Sequence, residues 1–220
     1  MVARIKDKKE DISLSPIADI LSLGVVIPVV TVENLDEVLP LTRALLLGGI
    51  KTMEITLRTP IALEAIKMVS GEIREMKVGA GTVTSPAKFE DAVEAGADYI
   101  VSPGFTEELA KKAEESDIPF LPGVATPSEI IKASECGFKY MKFYPAEIFG
   151  GCKALKAYSS LFSDIIFCPT GGVNEDNYKD YLNLPNVTCV GGSWLVSQEI
   201  ISSENWSEIT RHAKKINSPI

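Results

Sequence analysis

Eight short runs of β-branched and aromatic residues alternate with amphipathic segments along this chain, a pattern that few architectures satisfy. The runs are Val25–Val32, Thr52–Arg58, Lys77–Val83, Tyr99–Pro103, Phe120–Val124, Tyr140–Pro145, Ile165–Thr170 and Thr188–Gly191. Between them lie helical patterns at Asn34–Leu47, Pro60–Ile73, Pro86–Ala95, Glu107–Glu115, Ser128–Glu135, Lys153–Phe162 and Glu175–Tyr181, and Asn205–Ile216 closes the chain. A strand that runs parallel to its predecessor needs a crossover, usually a helix. The spacing therefore predicts an α/β fold, a (β/α)8 TIM barrel slightly shorter than typical, with an extra N-terminal helix around Ser15–Ser22. Residues 1–220 read as one domain because no Pro/Gly/Ser-rich linker divides them. An open doubly wound sheet is the alternative. It is disfavoured because no GxGxxG follows the first run and polar residues occupy one face of several runs.

Side chains alternate across a strand, so Met53, Ile55 and Leu57 share the helix-facing side of the second run, while Thr52, Glu54, Thr56 and Arg58 point inward. The sixth run divides likewise, with Met141 and Phe143 outward and Tyr140, Lys142 and Tyr144 inward. Lys142 can then meet Glu54 across the interior. Burial favours a neutral amine, and a neutral amine attacks a ketone carbon to form a Schiff base. Lys51, Lys77 and Lys139 start their strands instead, on the end of the fold that serves stability. Imine chemistry moves a proton at each step, and Glu54 is the candidate shuttle; a structural ion pair with Arg58 is its alternative role. Near the C-terminal end of its strand, Arg58 can hold an α-keto acid carboxylate with two hydrogen bonds, or form a rim salt bridge.

Gly171–Gly172 ends the seventh run and Gly191–Gly192–Ser193 the eighth, followed by a short helical stretch at Trp194–Ser197. Glycines let backbone amides approach a phosphate, a helix N-terminus adds favourable potential, and the loops after the last two strands often bind phosphate in this fold. Tight turns also use glycine, but two such sites on consecutive strands favour a phosphorylated ligand. Gly79–Ala80–Gly81–Thr82, Ser102–Pro103–Gly104 and Leu121–Pro122–Gly123 read chiefly as turns, with Thr82 a hydroxyl partner for substrate and Pro103 an apolar wall. Glu147 reads either as a support behind the site or as a solvated loop carboxylate.

A formal charge of -8 and the absence of a basic stripe argue against a nucleic-acid partner, so an anionic substrate needs a local basic pocket. Met1–Asp11 is charged and lacks the apolar core of a secretory signal, and no later apolar run is long enough to cross a bilayer. The expected location is cytoplasmic, with no membrane partner. A single histidine, His212, argues against multi-histidine metal sites and a Ser-His-Asp arrangement. Cys136, Cys152, Cys168 and Cys189 form no CxxC pair and read as small buried hydrophobes.

Several motifs in order carry a resemblance to a known family: Val26 to Val29, Met53 to Thr59, Val78 to Val83, Ser102 to Gly104, Lys142 to Glu147, Cys168 to Val173 and Gly191 to Trp194. Almost end to end, the chain resembles the 2-keto-3-deoxy-6-phosphogluconate (KDPG) and 4-hydroxy-2-oxoglutarate (KHG) aldolases, class I aldolases of the Entner-Doudoroff pathway. The resemblance implies Lys142 as the Schiff-base lysine, Glu54 as general acid/base, and Arg58 as ligand of the pyruvyl carboxylate with Thr82 beside it. It implies that Pro103 and Tyr144 shape the pocket, and that Thr170, Gly171, Gly172, Gly192 and Ser193 serve the distal, phosphorylated end of the keto acid. Phenylalanine commonly stands at the Tyr144 position in the family. A homotrimer without metal or organic cofactor is also implied. Other phosphate-binding barrels, such as isomerases and synthases of tryptophan or thiamine biosynthesis, share the glycine sites; Lys142 separates the two readings. A non-catalytic sugar-phosphate sensor is separated by turnover.

Overall fold

The computed structural model describes residues 16–217. Met1–Asp11 and Ser15 lie outside the described residues, so the expectation for the amino terminus concerns residues beyond them. Among the described residues, nine strands occupy Val26–Val30 (β1), Thr52–Thr56 (β2), Lys77–Gly81 (β3), Tyr99–Val101 (β4), Phe120–Leu121 (β5), Gly123–Val124 (β6), Tyr140–Phe143 (β7), Ile166–Pro169 (β8) and Val190–Gly192 (β9). Each expected run holds a strand, except that the fifth is split at Pro122, whose nitrogen has no hydrogen to donate to a ladder. The helices are Pro16–Leu21 (α1), Val38–Leu47 (α2), Ala62–Glu72 (α3), Pro86–Glu94 (α4), Glu107–Glu114 (α5), Pro127–Glu135 (α6), Gly151–Leu161 (α7), Tyr178–Leu182 (α8), Gln198–Ser202 (α9) and Trp206–Asn217 (α10). Of these, α9 has no counterpart in the sequence patterns; the expected helical stretch before it is a 3-10 turn at Trp194–Val196.

Helix starts follow local chemistry. Ser85, Thr106 and Thr126 accept hydrogen bonds from the backbone N–H groups of Lys88, Leu109 and Glu129, which have no partner within their own helices. At Thr126 the Glu129 carboxylate also reaches back to the cap backbone, completing a capping box. These caps fix where α4, α5 and α6 begin after the short loops that leave β3, β4 and β6.

The strands form an α/β fold with a curled parallel sheet. One hydrogen-bonded ladder runs β5-β4-β3-β2-β1-β9 and a second runs β6-β7-β8, with every pairing parallel. Chain neighbours from β1 to β5 are also sheet neighbours, a winding in one direction that a doubly wound sheet lacks. The ladders meet through isolated parallel bridges, Thr170 to Gly191 and Phe167 to Val187.

Two apolar layers follow from the period-two alternation. Met53, Ile55, Met141, Phe143 and Phe167 belong to the large core cluster between the convex sheet face and the helices. A second cluster joins Ile27, Tyr99, Val101, Leu121, Cys168 and Cys189 on the concave face to Ile17, Ile20 and Leu21 of α1. Burying each large side chain contributes about 1.5–3 kcal/mol. Cys136 is exposed and Cys152 half-buried, so the buried-hydrophobe expectation fits only Cys168 and Cys189.

Candidate active site

Lys142 projects from β7 into the concave interior, where its Nζ lies 2.9 Å from Glu54 Oε1 and 3.1 Å from Oε2 on β2. Their residues are 5% and 4% exposed, so both charged forms are almost entirely removed from water. The sequence separation is 88 residues, and only the curling of the sheet brings the two together. An amine and a carboxylate in direct contact can exchange a proton without an intervening donor.

Space for Glu54 comes from the next strand. Glu54 pairs in register with Gly79 on β3, and a Cβ at Gly81 would overlap the Glu54 carboxylate. Any side chain at Gly79 would likewise meet the Tyr99 ring. These glycines therefore sit within a strand as clearances, which corrects the expectation of a turn there. Beneath the ion pair, the fully buried Tyr99 hydroxyl accepts a hydrogen bond from Thr52 Oγ1 at 3.0 Å. Burial pushes the Tyr99 phenol well above its usual range, so it remains neutral under the pair.

Around the amine, the Tyr144 ring centroid lies 5.4 Å from Lys142 Nζ. A Cβ at Gly171 would contact Tyr144 and Pro145, so the aromatic wall and the glycine turn adjoin. Gly171 and Gly172 adopt φ values of 95° and 82°, which L side chains disfavour. Thr170 bridges to Gly191, and its buried Oγ1 has no hydrogen-bond partner in the protein. That oxygen faces Gly191, where a Cβ would stand 2.3 Å from it. Gly192 lies against the Trp194 ring, and Ser193 beside it is exposed.

Three expected residues stand farther out. Arg58 is exposed and lies beyond Thr56, where β2 ends, and neither a hydrogen bond nor an ion pair joins it to Glu54. Thr82 is half-buried with φ 61°, a left-handed conformation unusual for a β-branched residue. Pro103 is half-buried and adjoins Gly123. The sequence patterns missed Gly81 and Tyr99 as parts of this constellation; glycines spaced by two on one strand face were the available signal. A cavity of about 1500 Å³ between α5 and α6 is lined by Phe105, Phe120 and Phe138 but by neither Lys142 nor Glu54, so the chemistry lies elsewhere. Among the described residues no cluster of three or more His, Cys, Asp or Glu side chains is arranged to hold a metal ion, and no helix is long and apolar enough to cross a membrane.

A family model described as KDPG and KHG aldolase matches residues 17–212. The chain is 45% identical over 196 residues to a KHG/KDPG aldolase of Escherichia coli, covering 89% of this chain and 92% of that one. Among solved structures it is similar to a KDPG aldolase from Legionella pneumophila with pyruvate captured at low pH as a covalent carbinolamine intermediate. The TM-score is 0.90 at 45% identity, over 92% of this chain and 98% of that chain. A 2-keto-3-deoxy-6-phosphogluconate aldolase of Zymomonas mobilis with 3-phosphoglycerate gives 0.88 at 40% identity, over 92% and 95%.

Proposed function

The chain belongs to the KDPG and KHG aldolase family, and we propose that Lys142 and Glu54 carry out a class I retro-aldol cleavage of KDPG to pyruvate and glyceraldehyde 3-phosphate. KHG, cleaved to pyruvate and glyoxylate, is the second substrate. The observation that carries this is the buried contact between the Lys142 amine and the Glu54 carboxylate on the concave face.

The amine adds to the substrate C2 ketone, and loss of water from the carbinolamine leaves a cationic imine. Glu54 takes the C4 hydroxyl proton, the C3–C4 bond breaks, and its electron pair moves through C3 to the iminium nitrogen. The aldehyde departs and leaves an enamine. Glu54 returns a proton to C3, water adds to the pyruvyl imine, and hydrolysis frees pyruvate and the amine. The imine itself is the electron sink, so the residues present suffice without an organic cofactor.

Arg58 swings from the rim to the pyruvyl carboxylate with Thr82 beside it, and Pro103 and Tyr144 form the pocket wall. The unpartnered Thr170 hydroxyl, the open Gly171–Gly172 turn, Gly192 and the exposed Ser193 receive the phosphorylated end. A phosphorylated ligand accords with the 3-phosphoglycerate present in the structure of the Zymomonas relative. We further read the two ladders as one closed (β/α)8 barrel in a single domain. Thr170–Gly191 spans one seam, and at the other only Pro122 separates β5 of one ladder from β6 of the next. A cytoplasmic homotrimer is the proposed working form.

Borohydride reduction in the presence of pyruvate tests the mechanism. The Lys142 peptide is expected to gain a pyruvyl mass, and an unlabelled Lys142 peptide with label elsewhere would sink the assignment.

A further inference from the structure

Glu147 stands in the loop between β7 and α7, just beyond the lysine strand. Its backbone N–H donates to the Gly171 carbonyl at 3.0 Å, and that of Ala146 donates to the Thr170 carbonyl at 2.8 Å. The Tyr181 hydroxyl of α8 donates to Glu147 Oε1, and Tyr181 is fully buried. Burial, and then the adjoining carboxylate, hold that hydroxyl protonated far above the usual phenol range.

Two glycines make room for this contact. A Cβ at Gly172 would stand 2.5 Å from Glu147 Cγ, and one at Gly151 would stand 2.9 Å from both Glu147 Oε1 and the Tyr181 hydroxyl. From the other side, the Asn174 and Asn177 amides donate to the Gly172 carbonyl at 3.4 and 3.1 Å. The Gly171–Gly172 turn is thus tied to the loop that leaves Lys142 and to the segment that leads into α8. A carboxylate that served only to solvate a loop would need neither a buried hydroxyl nor two neighbours without side chains.

We propose that Glu147 and Tyr181 are positioning residues that set the span from the Lys142 amine to the Gly171–Gly172 turn, and so favour keto acids phosphorylated at the end remote from the ketone. This deepens, and rests on, the assignment of that turn as the phosphate site. A substrate held covalently at one end gains from its phosphate only when the second anchor lies at the matching distance. A displaced turn loses phosphate binding and leaves the imine chemistry alone.

Tyr181→Phe removes the hydroxyl and keeps the ring, while Glu147→Gln keeps an acceptor for it. With KDPG, Tyr181→Phe is expected to raise KM about tenfold, the effect of losing one hydrogen bond to a charged group, with Glu147→Gln intermediate. With KHG, which ends at the carboxylate on C4, KM and kcat stay within about twofold. Equal losses on both substrates, or an unchanged KM for both, overturn the proposal. Inorganic phosphate, tested on the unmodified enzyme against KDPG, separates the two levels. Competition there combined with equal losses in Tyr181→Phe sinks the positioning role alone, and no competition sinks the phosphate site and this proposal with it.

Discussion

Removing one member of the Lys142–Glu54 pair leaves the other as a desolvated charge with nothing to compensate it. Lys142→Met and Glu54→Leu are each expected to lower unfolding stability by about 3–5 kcal/mol. The double variant should recover most of that loss, because no unpaired charge remains; urea denaturation of the three variants checks it. Additive losses would mean that the side chains act independently. Both residues were legible in the sequence because the alternation of a strand decides which way each side chain points, and Glu54 and Lys142 lie within β2 and β7. Arg58 was less so. The strand ends at Thr56, and beyond it alternation no longer governs direction, so the guanidinium sits exposed on the rim.

Helix α6 shows how a crossover start depends on protonation. Burial works upward on the Glu129 carboxyl, yet hydrogen bonds donated by the Ala125 and Thr126 backbones and the Thr126 hydroxyl outweigh it and bring the carboxyl below its ordinary value. A carboxyl lowered on folding stabilises the fold above its unfolded value, and that contribution disappears as pH falls through the lower folded value. Thermal melts of Glu129→Gln should therefore lie below the parent at neutral pH and converge on it in acid. Thr126→Ala should lose about 1 kcal/mol at neutral pH through the same cap. The expected helix begins at Ser128, so the sequence patterns missed this cap, although Thr126, Pro127 and Glu129 carry its signal. The short α9, in contrast, depends on which backbone groups find partners in space, which no local pattern of apolar residues records.

Across the molecule the hydrogen-bonded ladders are uneven. Strands β2 and β3 pair over five residues from Thr52–Lys77 to Thr56–Gly81, whereas β8 meets β9 through isolated bridges. Local opening follows such differences, so amide exchange at β2 and β3 is expected to be at least about tenfold slower than at Thr170 and Gly191. Uniform protection around the strands would contradict it. The alternation of runs foretold parallel strands and crossovers, but the strength of each seam depends on register, which is set by the closing geometry and not by any single run. At the opposite end, α1 lays Ile17, Ile20 and Leu21 over the inner cluster around Tyr99 and Cys168. With α1 covering that end, a keto acid bound as proposed at Lys142 would reach the amine from the other rim, and its aldehyde half, lying nearer that rim, would leave before pyruvate.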